Sequence, residues 1–522
     1  MPCTTVLVGK DASYNGSTMI ARNEDAGGVG HFNPKKCIVL HPGDQPVRYR
    51  SVLSHLEIEL PAESLRTTMM PNAVPDEGVW AAAGTNEANV SMTATETITS
   101  NSRVLGADPL VLYQPARTEK KRQEDGTVIE TEVSPERAGG IGEEDMVSIV
   151  LPYIRSAREG VRRLGDLLTR YGTYEMNGIA FQDSDEIWWL ETIGGHHWIA
   201  RRVPDNACVL MPNQLGIDVF DLTDAMGAQE EFMCSADLPE FMERYHLDLT
   251  MRGDMDGDEE EEPDEGLFNP REAFGSHSDQ DHVYNTPRAW YMMRYFAPHD
   301  GTYDGPDADC RPEDDDLPWC VVPERKITVE DVRYALSSHY QGTPYDPYAT
   351  YGNPSERGRY RAIGINRTNF LSIHEQRPGL PADFAAVEWV AFASNVFNAL
   401  VPFYPNVNET PAYLAETPSR VTTDSFYWAS RLTAALADAA YGSCIQAVER
   451  YQMTVMAKSR NILNVCDAAQ TAETDPDLRE KLRERANGEI AAMLREETDS
   501  VLKKVLDEAS ARMKNAFSRA DN

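Results

Sequence analysis

Residues 3–25 read C-T-T-V-L-V-G-K-D-A-S-Y-N-G-S-T-M-I-A-R-N-E-D. The first six, rich in β-branched and apolar side chains, predict a buried strand. Residues 10–17 are turn-forming, and Asn15-Gly16 is the strongest hairpin signal in the chain. Residues 18–21 then return as a second strand and carry Arg22, Asn23, Glu24 and Asp25 back toward Cys3. A thiol that opens a core strand near the amino terminus suggests a nucleophile whose base is its own α-amine. A free thiol titrates near ~8.5 and an α-amine near ~7.7–8.0, so the amine could take the thiol proton without a histidine. Arg22 and Asp25 would lower the thiol pKa and orient the amine. The other reading of Cys3 is a buried structural thiol, the commoner role of a single cysteine.

The rest of the composition narrows the field. The chain has 522 residues, with 49 Lys and Arg against 84 Asp and Glu and a formal charge of −35. Such a surface repels phosphate backbones and anionic lipid, so neither nucleic acid nor a membrane is an expected partner. No apolar run reaches membrane-spanning length and no secretory leader opens the sequence, which points to the cytoplasm. The 8 cysteines carry no C-x-x-C pair, so zinc ribbons and dithiol redox motifs are not expected.

Further along, strands are expected at 36–41, 79–84, 90–95, 178–182, 187–192, 197–202 and 208–211, the last run ending at Pro212-Asn213-Gln214. Residues 115–140 read as an exposed excursion, and 143–171 carries helical spacing that Gly172 stops. The acidic stretch 254–265 has the wrong glycine spacing for a calcium loop, and solvated charge accounts for it better. Residues 281–296 predict a Pro-capped helix with Arg288 near its start. His277, Asp279, Asp281 and His282 match no strong metal signature. Residues 327–339 predict another helix, 388–403 two core strands, and 425 onward helices, with a long amphipathic stretch at 475–514.

Conventional catalytic signatures such as G-x-S-x-G, a Walker loop or H-E-x-x-H do not occur. The opening segment instead resembles that of the C69 dipeptidases, a branch of the N-terminal nucleophile hydrolases. So do G-T-N-E-A-N-V-S-M-T-A-T-E (84–96), G-G-H-H-W-I-A-R-R-V-P-D (194–205), Y-N-T-P-R (284–288), H-Y-Q-G-T-P-Y-D-P (339–347) and I-G-I-N-R-T (363–368). The resemblance implies an α+β fold, a four-layer αββα sandwich, with a helical C-terminal extension. It implies a propeptide at residues 1–2, a hydrolase domain over 3–410 and a helical region over 411–522 that packs on the core or a sister subunit. Carried over by position, Cys3 is the nucleophile and its amine the base. Arg22 stabilises the thiolate, Asp25 holds the amine, Asn213 helps form the oxyanion hole and Arg288 supports charge nearby. His196 and His197 are left without a catalytic role and are expected as strand residues on the cleft wall.

Two departures accompany the resemblance. Related acylases place an asparagine where this chain has Glu96, so one oxyanion donor must come from elsewhere. Glu96 is then a candidate reader of a substrate ammonium, with a structural hairpin salt bridge as the alternative. The second departure is Met1-Pro2: Pro2 acylates the Cys3 nitrogen, so both residues must be removed before the amine is free. The activity implied is hydrolysis of dipeptides through an acyl-enzyme, with no metal or cofactor and in a homo-oligomer. The alternatives are an amidase acting on N-acyl amino acids or bile-salt-like amides, and a catalytically silent interaction protein.

Overall fold

A computed structural model describes residues 3–26, 32–74, 78–122, 128–249, 266–305 and 307–515. Met1, Pro2 and the acidic stretch 254–265 lie outside them, as does the side chain of Glu96.

The opening residues form the hairpin their pattern predicts. Strand β1 (Cys3–Val8) pairs antiparallel with β2 (Thr18–Asp25), and Cys3 stands opposite Glu24. Gly16 takes φ of 80° in the turn, a conformation that costs glycine little. Every residue of both strands is buried. They lie at the middle of a seven-stranded sheet, which explains strands that are buried on both faces. Its order is β10 (Cys320–Val321), β8 (Cys208–Met211), β1, β2, β11 (Thr368–Gln376), β12 (Ala386–Phe392) and β13 (Val401–Phe403).

A second, six-stranded sheet has the order β9 (Phe232–Cys234), β7 (Trp198–Arg202), β6 (Ile187–Thr192), β5 (Asn177–Gln182), β4 (Ser91–Thr97) and β3 (Ala83–Thr85). Strands β1 and β2 of the first sheet lie against β4 and β5 of the second. Buried polar bonds join the two: Gln182 Nε2 donates to the Thr18 carbonyl at 2.6 Å, and Thr85 Oγ1 meets His374 Nδ1 at 3.0 Å. Between β4 and β5 the register shifts, Glu96 facing Gly178 while Ala94 faces Ile179, so Thr95 is the extra residue of a bulge.

Helices cover the sheets. Helices α1 (Met146–Val150) and α2 (Ala157–Tyr171) pack on the six-stranded sheet. Helix α3 (Thr286–Phe296) packs on β8, and α4 (Val329–Leu336) on β1 and β2. Helices α5 (Phe426–Ala439), α6 (Tyr441–Ala472) and α7 (Pro476–Ala511) pack against the β12–β13 end of the larger sheet. The architecture is mixed α/β, with several antiparallel sheets, helices and, among the described residues, no barrel.

Three local expectations need correction. The helix over 143–171 is broken, because a 3-10 turn at Leu151–Tyr153 carries Pro152 and Ser156 caps a fresh start. Its predicted stop holds: Gly172 takes φ of 67°. The helix over 281–296 is two pieces, since Asn285 (φ −107°, ψ −69°) separates Asp281–Tyr284 from α3. Residues 38–40 form a strand, but in a small separate sheet with Thr67–Met69. Residues 115–120 and 132–138 are mostly exposed, as expected of an excursion from the core, and the segment contains a two-stranded ribbon, Arg117–Arg122 with Val128–Ser134. No helix of the described residues is long and apolar enough to cross a membrane.

Candidate active site

The hairpin register decides where the charged groups stand relative to Cys3. Side chains alternate along a strand, so Glu24 and Arg22 share a sheet face with Cys3, while Thr4, Asn23 and Asp25 share the other. Cys3 is completely buried, as are Arg22, Asp25 and Arg288, and Asn213 is 8% exposed. Arg22 Nη2 donates to Cys3 Sγ at 2.9 Å and to Glu143 Oε1 at 2.7 Å. Its Nη1 reaches the carbonyls of Ala82, at 3.0 Å, and Ala94, on the facing sheet. Burial works against the Arg22 charge, but Cys3, Glu143 and Glu24 outweigh it and raise its pKa. Arg22 is therefore a fixed cation that holds the Cys3 sulfur by a charge-assisted bond.

The nitrogen of Cys3 faces other groups. It donates to Asn213 Oδ1 at 3.2 Å, and Arg288 Nη2 donates to that same oxygen at 2.8 Å. Arg288 Nη1 also donates to the Cys3 carbonyl and, at 2.7 Å, to Thr4 Oγ1. Asn285 Oδ1 and the Tyr284 carbonyl, each at 2.8 Å, complete the set that holds the Arg288 guanidinium. Asn213 Nδ2 donates to the Thr97 carbonyl at 2.9 Å. An amide nitrogen carries two hydrogens, so one of them is committed to the second sheet.

Asp25 lies one position beyond Glu24, on the other face of β2. It is gripped by Thr368 Oγ1 at 2.6 Å and by the buried Arg361, whose Nη2 donates to Oδ2. Burial again opposes the cation, and Asp25 and Tyr284 raise the Arg361 pKa. On the Cys3 face, Glu24 forms a wholly buried ion pair with Lys35 at 2.9 Å. Burial lowers the Lys35 pKa, with Glu24 opposing that shift.

The structure thus gathers Cys3, Arg22, Asn213 and Arg288 into one contact network and sets Asp25 beside it on the adjoining register position. Glu96 belongs to β4, the strand whose Ala94 carbonyl accepts from Arg22. His196 and His197 are held elsewhere: their Nδ1 atoms meet the two oxygens of Asp108 at 2.9 and 2.7 Å. Those contacts pull the Asp108 pKa down against the effect of burial. His277 Nδ1 and His282 Nε2 converge on Asp315 at 3.5 and 3.0 Å. Asp281 caps the turn at Ser276 and Ser278 instead of joining them.

Glu143, Arg361, Thr368 and Lys35 were not singled out from the sequence. Thr368 closes the quoted segment 363–368 and Arg361 lies two residues before it, so a signal was present for that pair. Glu143 had none, since 121 residues separate it from Arg22.

A family model described as Peptidase family C69 matches residues 2–454. The chain belongs to that family. This C69 peptidase is 53% identical to a protein named dipeptidase from Bifidobacterium longum, in an alignment that covers 100% of both chains. It is 49% identical to a probable dipeptidase A from Streptococcus pyogenes serotype M18, over 99% of this chain and 98% of the other. A probable dipeptidase B from Lactococcus lactis is 43% identical over 99% of this chain and 97% of its own. The protein is accordingly an enzyme, a peptidase, and its substrates are peptides.

Proposed function

We propose that this C69 peptidase is a dipeptidase working through an acyl-enzyme on Cys3, after removal of the residues that acylate its nitrogen. The observation that carries the reading is the division of labour around one residue. Arg22 holds the Cys3 sulfur, while Asn213 and Arg288 hold its nitrogen and carbonyl. The freed α-amine takes the thiol proton, and the thiolate attacks the scissile carbonyl. The C–N bond then breaks, and the ammonium returns its proton to the departing amine. Water, activated by the same amine, cleaves the thioester and regenerates the thiol.

Asp25, fixed by Arg361 and Thr368, steadies the ammonium of Cys3 from the neighbouring register position. Among the described residues Asn213 Nδ2 donates only to the Thr97 carbonyl, and its second hydrogen is offered to the oxyanion, an interaction of the kind that contributes strongly to acyl transfer. Glu96 reads the substrate ammonium. No step calls for a metal or cofactor. The two facing sheets with helices outside them support the four-layer αββα sandwich of N-terminal nucleophile hydrolases. The three C-terminal helices, packed on the core, also suit contact with a sister subunit in a homo-oligomer. The cytoplasm is the proposed setting, where the 8 cysteines, all free thiols here, stay reduced.

Purified enzyme, sequenced at its amino terminus and assayed on a small dipeptide panel, tests the reading. Active enzyme is expected to begin at Cys3, to lose essentially all activity as C3A or after alkylation, and to ignore chelators. Full activity with Cys3 still peptide-bonded to Pro2 would overturn the mechanism. A preference for N-acylated amides over dipeptides would favour the amidase reading instead.

A further inference from the structure

The Cys3 amine must hand its proton to the departing nitrogen, so the departing residue of a substrate stands over that amine, on the side of Asp25. Three guanidinium groups gather on this side around one ring. Arg288 and Arg361 lie over Tyr284 with 5.2 and 4.9 Å to its centroid, and Arg367 Nη2 donates to its hydroxyl at 3.0 Å. Arg361 spends Nη2 on Asp25 and Nη1 on the Ala362 carbonyl at 3.3 Å, yet its side chain is only 5% exposed and its buried Nε has no hydrogen-bond partner among the described residues. Arg367 Nη1 donates to the Ala26 carbonyl at 2.7 Å, and among the described residues no carboxylate pairs with Arg367. The nearby Asp281 is occupied by Ser276, Ser278 and Asn285. In a chain of net charge −35, this local excess of cations is a feature of the place and not of the surface at large.

We propose that Arg361, over the ring of Tyr284, and Arg367, at its hydroxyl, bind the α-carboxylate of the departing residue and so restrict the enzyme to substrates that end one residue beyond the scissile bond. Guanidinium groups suit this because their planar donors match a carboxylate. The reach also fits. Ala26 lies two residues past Glu24, about 7 Å along the strand from the level of Cys3. A single departing residue plus one hydrogen bond spans about that distance from the attacked carbon. A longer peptide would place its next residue where the guanidiniums stand.

The inference rests on the dipeptidase reading, and the test separates the two. Processed enzyme is assayed on Ala-Ala and on Ala-Ala amide, as wild type, R367Q and R367K. A site built to bond a charged group rejects the analogue lacking it, so wild type is expected to show a KM at least ~10-fold lower for the free acid. R367Q should erase most of that preference by raising the KM for Ala-Ala, with the effect mainly in KM and not kcat, and R367K should keep part of it. Equal KM values for acid and amide in wild type would overturn the inference, even if R367Q failed to fold. So would R367Q raising both KM values alike, since a merely structural arginine would do that. Failure of processed wild type to cleave any dipeptide would instead count against the dipeptidase reading.

Discussion

At the scale of single residues, the site turns on how Arg22 divides its charge between Cys3 and Glu143. Both contacts are made by the same nitrogen, at 2.9 and 2.7 Å, in a place closed to water. The carboxylate competes with the Cys3 sulfur for that cation and would repel a thiolate there. Glu143→Gln should therefore shift the pH midpoint of Cys3 alkylation downward in the processed enzyme. It should also destabilise the fold by about 3 kcal/mol, because a buried pair loses one charge. An unchanged alkylation midpoint would mean that Glu143 has no hold on the sulfur. The relative positions of Cys3, Arg22 and Asp25 were legible because they share one hairpin. Glu143 and Arg361 were not, because they reach the hairpin across 121 and 336 residues of chain.

At the scale of elements, the edge strand β13 shows how the C-terminal helices are fastened. Just past it, the Tyr404 backbone N–H donates to Asn487 Oδ1 and its carbonyl accepts from Nδ2, both at 3.0 Å. Asn487, on α7 and 2% exposed, does for Tyr404 what another strand would have done. Truncating it leaves a buried donor and a buried acceptor unmatched, each at a cost of ~1–3 kcal/mol. Asn487→Ala is expected to lower stability by about 2–4 kcal/mol in urea unfolding and to make α5–α7 the first segment lost to limited proteolysis. A change below ~0.5 kcal/mol would show that the helices are held by apolar packing alone. Periodicity located these helices in advance. It did not foresee the break at Pro152 or at Asn285, since apolar spacing continues across both interruptions.

For the whole molecule, buried acids set the pH dependence. Burial raises Asp145 and Glu191 to about 7, with Glu144 adding to the shift at Asp145. In the unfolded chain both titrate near ~4. Between those values the folded state binds more protons than the unfolded one, so stability falls as pH rises from about 4 to about 7. Repulsion within a chain of net charge −35 works in the same direction. Asp108, whose pKa is lowered by its histidine contacts, acts oppositely, contributing stability that is lost in strong acid. Calorimetry should find the highest Tm in weak acid, below pH 7, and Asp145→Asn should flatten the decline between pH 4 and 7. If the variant keeps the wild-type slope, Asp145 ionises freely in the folded protein and its burial carries no pH cost.

The sequence by itself determined the opening hairpin, most strands of both sheets, the helical C-terminal region and the residue types from which the site is built. These are set by period, turn chemistry and neighbours within a few positions, all of which are local. Tertiary structure alone decided which face of β2 meets the sulfur and that Asn213 presents its oxygen to the Cys3 nitrogen. It alone brought Glu143 to Arg22, Arg361 to Asp25 and Arg367 to Tyr284. Those facts depend on strand register and on the packing of one sheet against another, where segments hundreds of residues apart meet and no short pattern records the encounter.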